Sequence, residues 1–210
     1  VSWHIAYDAV SAGKAVGNHI AGEKQLATAA EEKRQYSVEF MMGAPEDYTA
    51  YLLYQGVMSV LQPYLDNGVL TTASGRVAFE DTCIQNWSSA DALRYYWDNI
   101  SKKYENGPDI LCTTGDDLAK GACEGLTISG CPADKWPLVT GIGGNQAALD
   151  RLAAGQQSLS LKEDNALLAE KCALGVQALL AGKSPQTNGT YYNGMTDVPV
   201  WLETMTLAGA

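Results

Sequence analysis

Apolar residues along the chain fall into two alternating kinds of run. Short, mostly apolar runs predict buried strands: "WHIAY" (3–7), "YSVEFMMGAP" (36–45), "GVLTTAS" (68–74), "DILCTTG" (109–115), "WPLVTGIGG" (136–144) and "SLSL" (158–161). Between them, apolar positions recur at helical spacing. Ala9, Ala12, Val16 and Ile20 share one face of a helix that Asp8 would cap. Leu53, Val57, Val60 and Leu61 stripe a helix over 46–65, and Leu93, Tyr96, Trp97 and Ile100 stripe another over 88–103. Further helices are predicted at "DDLAKGACEGL", capped by Asp116, at "NQAALDRLAAGQ", and over 163–183, closed by Gly182. The polar stretch 24–34 reads as an exposed excursion, and the tail "TYYNGMTDVPVWLETMTL" as extended edge segments.

Apolar strands that alternate with helices predict an α/β fold, three-layer α/β/α with a mostly parallel sheet. In such sheets ligands sit off the carboxyl ends of the strands. The segments to inspect are therefore Asp8, "GAPEDYTAY", "NWSSAD", "TTGDD" and "GIGGN". Trp87 belongs to this set and lies outside the apolar stripe of its helix, which Ser88 and Asp91 start without its help. Two readings stand for it: a hydrophobic staple on the first helical turn, or a flat wall offered to a ligand.

Bulk composition narrows the classes. A chain of 210 residues, 46% hydrophobic and 18% charged, can fill a core, and its formal charge of −10 repels nucleic-acid phosphates. No run of about 18 apolar residues is present. Five cysteines show no CxxC or zinc spacing; a disulfide between Cys123 and Cys131 would close the loop "EGLTISG", and buried free thiols are the other reading. His4, in a strand, and His19, on the first helix, neighbour no nucleophile in sequence, and "GIGGN" lacks the GxGxxG spacing. An enzyme is not expected, and no motif calls for a cofactor.

The order of loops carries a resemblance. "GAPEDYTAYLLYQGVMSVLQPYLDNG", "QNWSSADALRYYWDNI", "ILCTTGDDLAKGACEGL" and "PLVTGIGGNQAALDRLAAGQQSLSLKEDNALLAEKCALGVQALLAGK" together resemble the type I periplasmic monosaccharide-binding proteins of ABC sugar importers, multiple-sugar, galactose and ribose types. The resemblance implies a receptor that closes two lobes over a sugar-like ligand, hands it to an ABC permease and works outside the cytoplasmic membrane, in the periplasm or lipid-anchored. The alternative it leaves open is the effector domain of a sugar-responsive transcription regulator. It also implies that "VSWHIAYDAVSAG" begins a second lobe whose partner lobe is not on this chain. On that reading 1–162 form the ligand-binding C-terminal lobe, 163–186 a hinge-crossing helix belonging to the other lobe, and 187–210 a return segment. The apolar face of the hinge helix (Leu167, Leu168, Cys172, Val176, Leu179) would then pack on the remaining lobe or on a second copy of the chain.

Site residues carry over from the resemblance position by position. Trp87 stands where the family stacks an aromatic ring on the sugar. Asp47 aligns with an acceptor of sugar hydroxyls, or serves as a helix cap. Asp116 follows Gly115 where the family carries Asn-Asp, and is otherwise a cap. Tyr51 stands near an Arg, Gly143 at an Asp with Asn145 as the nearest polar substitute, and Lys162 at the third hinge crossing, as in the multiple-sugar group. These departures imply a ligand that is less hydroxylated, differently oriented or not a plain hexose.

Overall fold

Several helix starts are written by a side-chain oxygen one residue ahead of the helix. Asp47 accepts from Thr49 N–H, Ser88 from Asp91 N–H, Asn145 from Ala148 N–H and Asp164 from Leu167 N–H. Each satisfies a donor that the first turn leaves without an intrahelical partner. The computed structural model describes residues 3–192 and 195–209. In chain order the elements are β1 (His4–Tyr7), α1 (Ala9–Glu23), α2 (Leu26–Glu31), β2 (Tyr36–Met41), α3 (Tyr48–Asp66), β3 (Leu70–Thr71), α4 (Phe79–Thr82), α5 (Ser89–Asn99), β4 (Ile110–Thr113), α6 (Asp116–Ile128), β5 (Leu138–Val139), β6 (Ile142–Gly143), α7 (Gln146–Ala153), β7 (Leu161–Lys162), α8 (Asn165–Leu180), β8 (Gly189–Tyr192), β9 (Asp197–Glu203) and β10 (Thr206–Leu207). They divide into two units: Ala9–Lys162 with the chain from Leu207 onward, and the chain up to Asp8 with Glu163–Thr206.

The larger unit is built on a parallel sheet in the order β3-β2-β4-β5. Ser158 N–H donates to Val139 O and Leu161 N–H to Gly141 O, which carries the ladder on toward β7, itself parallel to β6. Met41, Leu111 and Val139 bury themselves with Ala92, Tyr96, Leu118, Ala122 and Leu126 of α5 and α6. Val38, Phe40, Ile110 and Cys112 alternate with them along the strands, so they point to the opposite face, left to α1 and α3, which pack on each other. This is the layered α/β architecture that the alternation predicts.

In the smaller unit β9 is the middle strand, parallel to β1 and antiparallel to β8. Helix α8 packs in this unit with the Trp3 indole against Gly175, where an added Cβ would meet Cη2 at 2.3 Å. Leu167 and Leu168 are half-buried, whereas Cys172, Val176 and Leu179 are exposed.

Several expectations need correction. Residues 24–34 are not wholly exposed: they contain α2, which buries Leu26 and Ala29. The tail is not made of edge segments alone, because Val198 and Val200 of β9 are buried. Pro199 lacks an N–H to donate, and the ladder with β1 begins at Val200, one residue past it. Val1 and Ser2 of the opening segment and Asn193 and Gly194 of the tail lie outside the described residues. Asp116 is not a cap: Gly115 holds the N-cap position, and Asp116 is the first residue of α6. Cys123 and Cys131 are free thiols, donating to Gln156 O and Asn106 O respectively, so no bridge closes their loop.

Candidate functional site

The parallel sheet brings the predicted loops to one edge, where strand ends leave backbone and side chains free for other work. Beyond β2 the chain continues extended, and Cys83 bridges Met42 in parallel register. Ile84 N–H donates to both Met42 O and Gly43 O. This lays residues 83–84 beside the strand end and delivers Trp87 above it. The turn that follows is costly: Asn86 and Trp87 both adopt left-handed φ, 57° and 54°. Each such residue costs about 1–2 kcal/mol when it is not glycine.

Trp87 is held in that position by three contacts. Its Nε1–H donates to Asp47 Oδ2 at 3.1 Å. Its six-membered ring rests against Gly43, where a Cβ would lie 2.0 Å from Cζ2, and against Gly115, where a Cβ would lie 3.1 Å from Cε3. The ring packs on the α5–α6 core cluster while remaining only partly buried. Asp47 therefore does two jobs, Oδ1 capping α3 at 2.8 Å from Thr49 N and Oδ2 fixing the indole.

A second group forms around Asp116, which is 3% exposed. Its Oδ2 accepts from Gly144 N–H at 2.7 Å, its Oδ1 from Gln157 Nε2 at 2.8 Å, and Ser160 Oγ lies 2.9 Å from both oxygens. Arg151 completes the cluster, donating from Nη2 to Asp116 O and from Nε to Gln157 Oε1. The carboxylate is thus occupied by the chain itself and pins the turn after β6. In that turn Gly143 has φ 142° and its Cβ would meet Asp116 Oδ2 at 3.0 Å, while a Cβ on Gly144 would meet the Lys162 side chain at 2.8 Å. Asn145 Oδ1 is spent on capping α7. The exposed Lys162 side chain rises beside the turn.

The structure therefore gathers Asp47, Trp87 and Gly115 into one group and Asp116, Gly143 and Lys162 into another, with adjacent Gly115 and Asp116 joining them. Asn145 sits at the end of the second group. Tyr51 lies one turn along α3 from Asp47, and its ring meets Tyr48 and Phe79. Residues missed from sequence are Gly43, Gln157, Ser160 and Arg151. Gly43 carried a signal, a glycine directly after a buried strand; the other three had none. Thr114 at the end of β4 is 1% exposed, and its Oγ1 is buried without a hydrogen-bond partner.

Cys83 and His19 are the two candidate reactive side chains to place. Burial, with Glu80 and Glu46 adding to it, pushes the Cys83 thiol up to about 11. His19 is half-buried, 3.1 Å from Ser158 Oγ. Ser158 Oγ donates to Val139 O at 3.0 Å, which leaves the hydroxyl oxygen able to accept from the imidazole. Burial lowers the His19 pKa from its ordinary 6.5 against the opposing pull of Glu23. The unfolded chain then takes up the proton first as pH falls, so stability declines below about pH 6.5. His19→Gln is expected to flatten this part of the slope, read as urea midpoints between about pH 7 and pH 5; an unchanged slope would contradict the assignment.

The model of the periplasmic binding protein domain family matches residues 1–184. The multiple sugar-binding periplasmic protein of Azospirillum brasilense is 30% identical over 206 residues, covering 96% of this chain and 57% of that protein. The multiple sugar-binding periplasmic receptor of Rhizobium radiobacter is 31% identical over 177 residues, covering 82% of this chain and 50% of that protein. This chain thus spans about half the length of these relatives. An ABC transporter solute-binding protein from Clostridium phytofermentans, solved with bound β-D-glucose, superposes with a TM-score of 0.92 at 33% identity, over 99% of this chain and 64% of that one. Matched through all but its last 26 residues, the chain belongs to the periplasmic binding protein domain family.

Proposed function

We propose that this chain supplies one wall of the ligand cleft in a sugar receptor for an ABC importer, a binding protein and not an enzyme, acting outside the cytoplasmic membrane. One observation carries the reading: a tryptophan ring, only partly buried, is fixed against two glycines at the carboxyl edge of a parallel sheet. The axial C–H groups of a pyranose make a flat apolar patch, and a rigid indole covers it at little entropic cost. The left-handed backbone at Trp87 is what such presentation costs locally. The sugar-binding names of the A. brasilense and R. radiobacter relatives, and the glucose in the C. phytofermentans protein, support the ligand class.

Roles then divide by which groups the chain has left uncommitted. Asp47 retains lone pairs after its two internal bonds and accepts a sugar hydroxyl. Lys162 and the Asn145 amide donate. Gly115 leaves room for the Trp87 indole and Gly143 for the Asp116 carboxylate, so both shape the wall from behind. Asp116, with four internal contacts, is a positioning residue that shapes the Gly143–Gly144 turn.

A thermal-shift screen of monosaccharides on the full-length protein tests this. At least one aldose is expected to raise the melting temperature, since a ligand at about 100 Kd stabilises the native state by about 2.7 kcal/mol. No shift with any sugar would overturn the assignment.

A further inference from the structure

The larger unit holds a second concave site, where α6 meets the last turn of α7. Its cavity of about 340 Å³ is lined by Lys120, Cys123, Glu124 and Ile128 of α6, with Arg151 and Gln156. That volume falls in the range of small-molecule sites. The floor is already built. Gln156 O accepts from Cys123 Sγ and, at 2.9 Å, from Trp136 Nε1, while Gln156 N–H donates to Arg151 O at 2.8 Å. Burial pushes the Cys123 thiol up to about 11 against the pull of Arg151, so at neutral pH it stays uncharged and offers a soft apolar contact.

Charge decides what fits above this floor. Arg151 spends Nε on Gln157 Oε1 and Nη2 on Asp116 O, two bonds that fix the guanidinium plane. Among the described residues its other three N–H groups meet no acceptor. Nη1 and Nη2 thus each keep a hydrogen, the pair that grips a carboxylate with both its oxygens. Lys120 and Glu124 pair one turn apart at 4.0 Å and are about half exposed. Lys120 and Arg151 against Glu124 leave the cavity one net positive charge, carried by Arg151. Beside it Ile128 has 62% of its surface in solvent, apolar area that a ligand would cover. One positive charge next to an apolar patch matches one negative charge on an apolar body. Inorganic phosphate lacks the body, and a neutral sugar lacks the charge. We propose that this cavity is a second binding site, for a monocarboxylate with a short apolar chain, its carboxylate on Arg151 and its chain against Ile128. The inference does not rest on the sugar-binding reading and stands or falls apart from it.

Amide chemical-shift mapping on the full-length protein with sodium hexanoate tests it. Saturable shifts are expected at residues 120–128 and 151–156. 1-Hexanol has the chain without the charge and acetate the charge without the chain, so each should bind about fivefold more weakly or worse. Arg151→Gln should cut hexanoate affinity about tenfold, through loss of the charge-assisted pair. Because Arg151 also steadies Asp116, Lys120→Glu gives an independent check from a half-exposed side chain. Reversing that charge should weaken hexanoate about threefold while the melting temperature holds. No saturable shift with hexanoate, shifts that map elsewhere, or wild-type affinity in Lys120→Glu would overturn the inference.

Discussion

Gly43→Ala is expected to displace the Trp87 indole and to weaken sugar binding at least tenfold in the full-length protein. The added methyl would lie 2.0, 2.1 and 2.5 Å from Cζ2, Cη2 and Cε2, distances no carbon pair sustains. The ring has little freedom to yield. Its Nε1–H is held by Asp47 and its Cε3–Cζ3 side already rests on Gly115. Overpacking of this kind costs about 1–3 kcal/mol, and the indole swings out or its turn refolds. Either way Asp47 loses its donor and the stacking surface is lost. Calorimetric titration alongside a thermal melt reads both effects. A variant that binds and melts as wild type would show that the ring is not seated on Gly43.

Asp116→Ala is expected to be the most destabilising single change near the site. It removes the acceptor for Gly144 N–H, Gln157 Nε2 and Ser160 Oγ, all donors with carboxylate contacts of 2.7–2.9 Å. A buried donor left unpaired costs about 1–3 kcal/mol. With partial relaxation the sum is about 3–5 kcal/mol, or a fall of about 10 °C in melting temperature for a chain of this size. Asp116→Asn does not rescue it, because one end of the amide turns N–H groups toward groups that already donate. Denaturant and thermal midpoints of both variants are the check. Wild-type midpoints in both would remove Asp116 from the role given to it here.

Much of this arrangement is legible in the sequence where the cause is local. Apolar runs broken by helical spacing gave the layers, and the strand-end rule pointed to the loops that hold Asp47, Trp87, Gly115 and Gly143. The caps at Asp47 and Asn145 follow from residues two and three positions away, so they are readable as patterns. Asp116 was misread because the letters after "CTTG" resemble a cap, while its partners lie 28 to 44 residues downstream. No local pattern encodes that. Helix α2 escaped because it is six residues long and only Leu26 and Ala29 face inward, too few for a period to show. Trp87 was singled out correctly as lying outside its helix stripe. That its backbone turns left-handed and its ring lies on Gly43, 44 residues earlier, required the fold.

The central claim is that Trp87 is the surface on which the sugar lies. Titration of the full-length protein with its best sugar, in wild type, Trp87→Phe and Trp87→Ala, tests it most directly. Phenylalanine keeps a ring on the glycine floor and should retain most of the affinity. Alanine should lose about 2 kcal/mol, roughly thirtyfold in Kd, with the melting temperature of the unliganded protein showing that the fold persists. Wild-type affinity in the alanine variant would mean that the ring is structural and the sugar is gripped elsewhere.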